Sequence, residues 1–206
     1  MSKSIVIIDY CSGNHFSVQK KLDRLGYNAV STNDPQVIQQ ADKIILPGVG
    51  HFGKAMKNLA HLNLIELLNK EALEHGKPIL GICLGMQLMA SHSEEGNSQG
   101  LNWIQGTVNR ILVKDTLKFK VPHTGWNQVN FIKKSKFIHD IPNRSEFYFV
   151  HAYHLICNDE ADVLGYSNYE AKFVSAVQRK NIFGVQFHPE KSHDIGLQMI
   201  KNFVEL

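Results

Sequence analysis

Cys83 sits within Pro78-Ile-Leu-Gly-Ile-Cys-Leu-Gly-Met-Gln87, where a short apolar run meets Gly-x-Cys-x-Gly and a helix-forming segment follows. This is a cysteine form of the nucleophile elbow, a tight strand-to-helix turn that holds a nucleophile between small residues. Gly81 and Gly85 should let the backbone bend sharply and let other segments come close. The turn places the sulfur at a helix N-terminus, where the macrodipole and free N–H groups favour thiolate, the reactive form. The chemistry this points to is covalent catalysis.

A cysteine nucleophile needs a proton shuttle and something to orient the shuttle. Gly184-Val-Gln-Phe-His-Pro-Glu190 supplies both types: His188 and Glu190, one proline apart. In an extended segment, residues two apart point to the same side, and Pro189 disfavours helix at His188. Taken alone, the pair reads more simply as a loop histidine beside a solvated glutamate. With Cys83 in an elbow, a carboxylate holding an imidazole in one tautomer becomes the better reading. An oxyanion formed at an attacked carbonyl needs N–H donors already in place. One is expected from Leu84, just after the nucleophile, and a second from Val49 or Gly50 in the strand-end loop Pro47-Gly-Val-Gly50.

That loop also spells a rival. Gly48, Gly50 and Gly53 match G-x-G-x-x-G, the dinucleotide fingerprint. Pro47 replaces the usual junction, the motif follows a later strand than the first, and Glu66 and Glu71 lie within a helical pattern rather than at a strand end. Eleven histidines raise a metal site, with His151 and His154 three apart and His123 and His188 elsewhere, yet neither H-E-x-x-H nor C-x-x-C occurs. Neither a metal nor a cofactor is expected. Lys133, Lys134 and Lys136 form the densest basic cluster and read as a solvated loop.

The elements that must hold these residues alternate in the first half. Residues 5–8, 27–30, 43–46 and 79–82 read as strands, and 16–25 and 62–75 as helices, the latter stopped by Gly76. This order implies a parallel sheet with helices on both faces and a site at the C-terminal strand ends, where Asp9, Gly48 and Cys83 fall. From about Gly106 the pattern changes to short strands, at 107–113, 128–132, 147–150, 174–178 and 182–186, before a C-terminal helix at 193–204. The expected architecture is α/β: an open, mostly parallel sheet flanked by helices, with an antiparallel strand extension. One domain over residues 1–206 is expected from the length. A 43% hydrophobic content suffices for a full core, and a net charge of +3 leaves no nucleic-acid footprint. No apolar run approaches membrane-spanning length, and residues 1–10 lack a cleavage pattern. Three scattered cysteines, Cys11, Cys83 and Cys157, argue against a disulfide framework and for the cytoplasm.

The loop at 47–50, the cysteine elbow and the His-Pro-Glu motif, in that order, resemble the class I (triad) glutamine amidotransferases. Ile8-Asp-Tyr10, Gly13-Asn14, Ser93-Glu-Glu-Gly96, Pro122-His-Thr-Gly-Trp-Asn127 and Tyr148-Phe-Val-His-Ala-Tyr153 are similar to the glutaminase subunits of imidazole glycerol phosphate synthase. The resemblance covers nearly the whole chain. It implies a flavodoxin-like glutaminase fold and a Cys83–His188–Glu190 triad. It also implies L-glutamine binding by Gly50, Gln87, Ala152 and Tyr153. The implied partner is a (β/α)8-barrel synthase subunit, joined as a heterodimer through Asn14, Trp126, Tyr148 and Lys191. The chain departs from the family at Thr124, where Met is usual, at Ala152, where Ser or Thr is usual, and at Leu101-Asn-Trp103. Trp103 keeps a second subgroup open, whose glutaminases supply ammonia to sugar amidotransferases of surface polysaccharide synthesis. A cysteine peptidase-like hydrolase on a similar sheet is the competing enzyme class.

Overall fold

The structure is a computed structural model describing residues 3–206. Strands β1 (Ile5–Ile8), β2 (Ala29–Thr32), β3 (Lys43–Leu46) and β4 (Ile79–Ile82) alternate with helices α1 (His15–Arg24), α2 (Pro35–Gln40), α3 (Phe52–His61) and α4 (Leu64–Asn69). A short helix α5 (Leu84–Leu88) follows Cys83. Then come β5 (His92–Ser93), β6 (Ser98–Gln99), β7 (Gly106–Arg110), β8 (His123–Gln128), β9 (Asn130–Phe131), β10 (Glu146–His151) and β11 (Tyr153–Cys157). The chain ends with β12 (Val163–Tyr169), β13 (Ala171–Arg179), β14 (Ile182–Val185) and α6 (His193–Glu205).

The main sheet runs β2-β1-β3-β4-β14-β13-β12-β9. Strands β2, β1, β3, β4 and β14 are parallel, and β13, β12 and β9 extend the sheet antiparallel. The inner parallel strands β1, β3, β4 and β14 are buried along their whole length because both faces are covered, whereas edge strand β2 is only partly buried. In β1, Val6 and Ile8 pack with α2–α5, while Ile5 and Ile7 pack with α1 and α6 through Val18, Leu22 and Phe203. Two smaller sheets lie beyond the C-terminal strand ends: the ribbon β10-β8 and the sheet β11-β7-β5-β6. Among the described residues, no helix is long and apolar enough to cross a membrane.

Several elements differ from the sequence expectation for local reasons. The second strand begins at Ala29, because Tyr27 N–H bonds the Leu22 carbonyl and Gly26 is left-handed (φ 79°), closing α1. The helix expected over 62–75 starts only after left-handed Asn63 (φ 55°), and a π-helical turn, Lys70–Glu74, replaces its last part. That wider turn carries buried Glu71, whose carboxylate meets Lys77 Nζ at 2.7 Å. The strand expected at 128–132 is divided between β8 and β9, which join different sheets.

Candidate active site

Cys83 stands between β4 and α5 with φ 53° and ψ −107°. A β-carbon makes this region costly, about 1–3 kcal/mol, so the surrounding structure must impose it. The sharp bend is on the cysteine itself: neither flanking glycine is left-handed. The glycines serve close approach. A β-carbon on Gly85 would run into the Leu46 carbonyl at the end of β3, and one on Gly81 would stand 2.7 Å from the Gly85 carbonyl. Cys83 N–H donates to the Val185 carbonyl at 2.8 Å, tying the elbow to the strand that leads to His188.

His188 and Glu190 are both fully buried, and His188 Nδ1 donates to Glu190 Oε1 at 2.7 Å. His188 is extended, as expected, but Pro189–Lys191 closes a 3-10 turn rather than continuing the strand. Lys191 N–H bonds the His188 carbonyl at 3.0 Å, and the turn folds the carboxylate back onto the ring. Asn14 was expected only as a partner contact. Its amide instead donates to Glu190 Oε1 at 2.6 Å, from a left-handed backbone (φ 88°) just before α1. Burial alone would lower the His188 pKa. The Cys83 sulfur and the Glu190 carboxylate outweigh it and hold the imidazole up at about 10. His188 Nε2 is buried without a hydrogen-bond partner of its own.

The sulfur opens into a cleft of about 270 Å³ lined by Val49, Gly50, Leu84, Gln87, Glu95, His151, Ala152 and Tyr153, among others. Every residue expected to bind substrate or an oxyanion therefore faces one space. Leu84 is the first residue of α5, where a backbone N–H has no intrahelical partner. Gly50 has φ 119° with open space around its α-carbon, so it is the conformation that calls for glycine. The loop is pinned from below: Tyr10 Oη donates to the Pro47 carbonyl at 2.6 Å and Ser12 Oγ to the Val49 carbonyl at 2.9 Å. In a trans peptide the Gly50 N–H points opposite to that Val49 carbonyl. The Ala152 carbonyl is already engaged by Ile111 N–H at 2.8 Å, which leaves the cleft its other backbone atoms.

Two side chains at this site escape sequence reasoning. Gln186 Nε2 donates to Cys83 Sγ at 3.6 Å, and its Oε1 accepts from Gln87 Nε2 at 2.9 Å. The signal was available: Gln186 is two before His188, on the same side of one extended segment. Glu95 takes the N–H of Phe52 at 2.7 Å and also lines the cleft. That contact answers the G-x-G-x-x-G match as well, because the helix terminus where a pyrophosphate would sit holds a carboxylate of the chain itself.

A model of the class I glutamine amidotransferase family matches residues 6–206. The chain belongs to that family. Among relatives of this amidotransferase, a Methanococcus maripaludis protein named imidazole glycerol phosphate synthase subunit HisH 2 is 46% identical over 201 residues, covering 98% of both chains. The HisH subunit of Moorella thermoacetica is 48% identical over 205 residues, covering 99% of this chain and 95% of its own. Among solved structures, PurLQS of Thermotoga maritima superposes with a TM-score of 0.76 at 18% identity, covering 100% of this chain and 99% of the other. The glutaminase domain of Trypanosoma brucei CTPS superposes with a TM-score of 0.64 at 17% identity, covering 99% of this chain and 94% of the other. At such identities the agreement concerns the fold.

In this amidotransferase the remaining candidates gather on and around the His188–Ser192 segment. Trp126 is 45% exposed and stacks on His193 at 4.8 Å; it pairs in register with Tyr148, whose ring lies 6.0 Å from Lys191 Nζ. Ser192 Oγ receives the Tyr148 N–H and donates to the His188 carbonyl, so this surface is bonded directly to the histidine. Trp103 is buried and donates to Asn69 Oδ1 at 2.7 Å, so packing accounts for it. The four histidines weighed for a metal do not assemble: His123 and His151 meet, and no cluster of three or more metal-ligating side chains occurs among the described residues.

Proposed function

We propose that this chain is the glutaminase subunit of an imidazole glycerol phosphate synthase, hydrolysing L-glutamine and delivering ammonia to a synthase partner in histidine biosynthesis. The observation that carries the chemistry is the buried His188–Glu190 pair beside a strained cysteine at the mouth of a glutamine-sized cleft. The HisH relatives, aligned from end to end, favour the histidine pathway over sugar amidation.

Cys83 as thiolate attacks the side-chain amide carbon of glutamine. The oxyanion takes N–H groups from Leu84 and from Val49 or Gly50. His188, a cation through its raised pKa, transfers the Nε2 proton to the leaving ammonia. Neutral His188 then removes a proton from water, hydroxide attacks the γ-glutamyl thioester, and glutamate leaves as the thiolate and the imidazolium are restored. Glu190 and Asn14 keep Nδ1 protonated and the ring fixed. Gln87 has both amide hydrogens engaged, by Gln186 and by the Tyr153 carbonyl, which leaves its Oε1 for substrate donors. Glu95 is the anionic wall for the α-ammonium of glutamine. No cofactor has a part in these steps.

Trp126, Tyr148 and Lys191 form the docking surface for a (β/α)8-barrel partner in a cytoplasmic heterodimer. Because the 47–50 loop is held by Tyr10 and Ser12, the isolated chain should be a weak glutaminase that its partner activates. Cys83→Ala should lower glutamine-dependent turnover about a thousandfold or more while the complex still uses ammonium salts. Undiminished glutamine use would overturn the assignment of the nucleophile. Co-purification from native cells tests the pathway: a barrel subunit supports it, and a sugar amidotransferase contradicts it.

A further inference from the structure

Two buried histidines, His151 in the cleft wall and His123 behind it, have no part in the steps above. His123, at the start of β8, and His151, at the end of β10, are only 3% and 5% exposed. They stand 28 residues apart in sequence but face each other in the antiparallel register. Their hydrogen bonds permit one arrangement of protons. His151 Nδ1 lies 2.8 Å from the Tyr153 carbonyl, which can only accept, so Nδ1 carries the proton. His151 Nε2 is then the acceptor for His123 Nδ1 at 2.9 Å. His123 Nε2 accepts in turn from the Asn127 amide at 3.4 Å. Burial pushes His123 down to about 4 and His151 to about 3, so both rings are neutral at physiological pH.

The chain of bonds ends at a functional atom. The Tyr153 carbonyl that receives His151 also receives Gln87 Nε2 at 2.9 Å. Gln87 leads on to Gln186 and Cys83. We propose that His123 and His151 are positioning residues for glutamine, a neutral imidazole relay that fixes the Tyr153 carbonyl and through it the Gln87 side chain. This role rests on the glutaminase function proposed above. Packing alone does not call for imidazoles here. His123 stacks on Tyr169 at 4.0 Å and on Phe149 at 5.0 Å, a setting that phenylalanine would fill without desolvating two ring nitrogens.

Nitrogen-15 chemical shifts of the histidine rings in the wild-type chain test the relay without turnover. Both residues should be Nδ1–H tautomers at neutral pH; an Nε2–H tautomer at either one overturns the relay. In the assembled complex, His123→Phe keeps the stacking and removes the donor. It should raise KM for glutamine about five- to tenfold, the scale of one lost hydrogen bond, with kcat changed by less than about twofold. His123→Asn places an amide N–H near the position of Nδ1 and should restore KM. A wild-type KM in His123→Phe, or equal impairment in both variants, refutes the positioning role. If the wild-type complex hydrolyses no glutamine, the glutaminase assignment fails and the tautomers still decide the relay. If the phenylalanine variant does not fold, they decide it likewise.

Discussion

Glu190 Oε1 accepts from Asn14 at 2.6 Å and from His188 at 2.7 Å, so one oxygen orients the base while a neutral amide orients the oxygen. Glu190→Gln keeps the shape and removes the charge that helps hold His188 near 10. The His188 pKa should therefore fall in this variant, moving the alkaline limb of its pH–rate profile to lower pH. We expect kcat to drop about 10²- to 10⁴-fold with little change in KM, because the carboxylate acts on the imidazolium that forms in the transition state. An unmoved alkaline limb in Glu190→Gln would show that the carboxylate does not set the histidine's basicity. Asn14→Ala should act in the same direction but more weakly, since the carboxylate remains.

At the scale of elements, the elbow depends on how closely α5 approaches β3. Gly85→Ala sets a methyl group against the Leu46 carbonyl, which is backbone and cannot rotate away. It should cost about 3 kcal/mol or more in urea unfolding. Gly50→Ala meets no atom and should cost only about 1–2 kcal/mol for its positive φ, while glutaminase activity falls with the loop's conformation. The inner parallel strands are legible in the sequence because β1, β3, β4 and β14 are runs of Ile, Leu, Val and Phe broken only by a glycine or an initial lysine. Edge strand β2, Ala29-Val-Ser-Thr32, is less apolar and begins two residues later than expected. The triad is legible because a nucleophile, a base and an orienting carboxylate have few substitutes. The ribbon is harder to read: β8 carries His123, Gly125 and Asn127, and only pairing with β10 shows that His123 faces inward. The π-helical turn is hidden for a related reason, since Glu71 looks like surface charge until Lys77 folds back onto it. Asn14 and Glu190 are 176 residues apart, and no local pattern can announce their bond.

For the molecule as a whole, the buried histidines shape stability at both ends of the pH scale. His123 and His151 have folded pKa values below the ordinary 6.5, so their contribution is fully present above about pH 6.5 and is lost as pH falls toward 4 and below. His188 is shifted the other way; its contribution is complete below about 6.5 and declines as pH rises toward 10. Urea midpoints measured from pH 4.5 to 7.5 should fall on the acid side, and His123→Phe should remove roughly one proton of uptake from that slope. An unchanged slope would mean that His123 is already protonated in the fold. The position of β14 has another consequence. This strand is made after β13, about a hundred residues later than β4, yet it lies in the main sheet between the two. A nascent chain that has exposed only Cys83 holds an open sheet edge, and the segment bearing the shuttle and its carboxylate is not yet made. Completing the sheet and arming the thiol are thus one event, and a polypeptide not yet extended past Glu190 cannot squander the cell's glutamine.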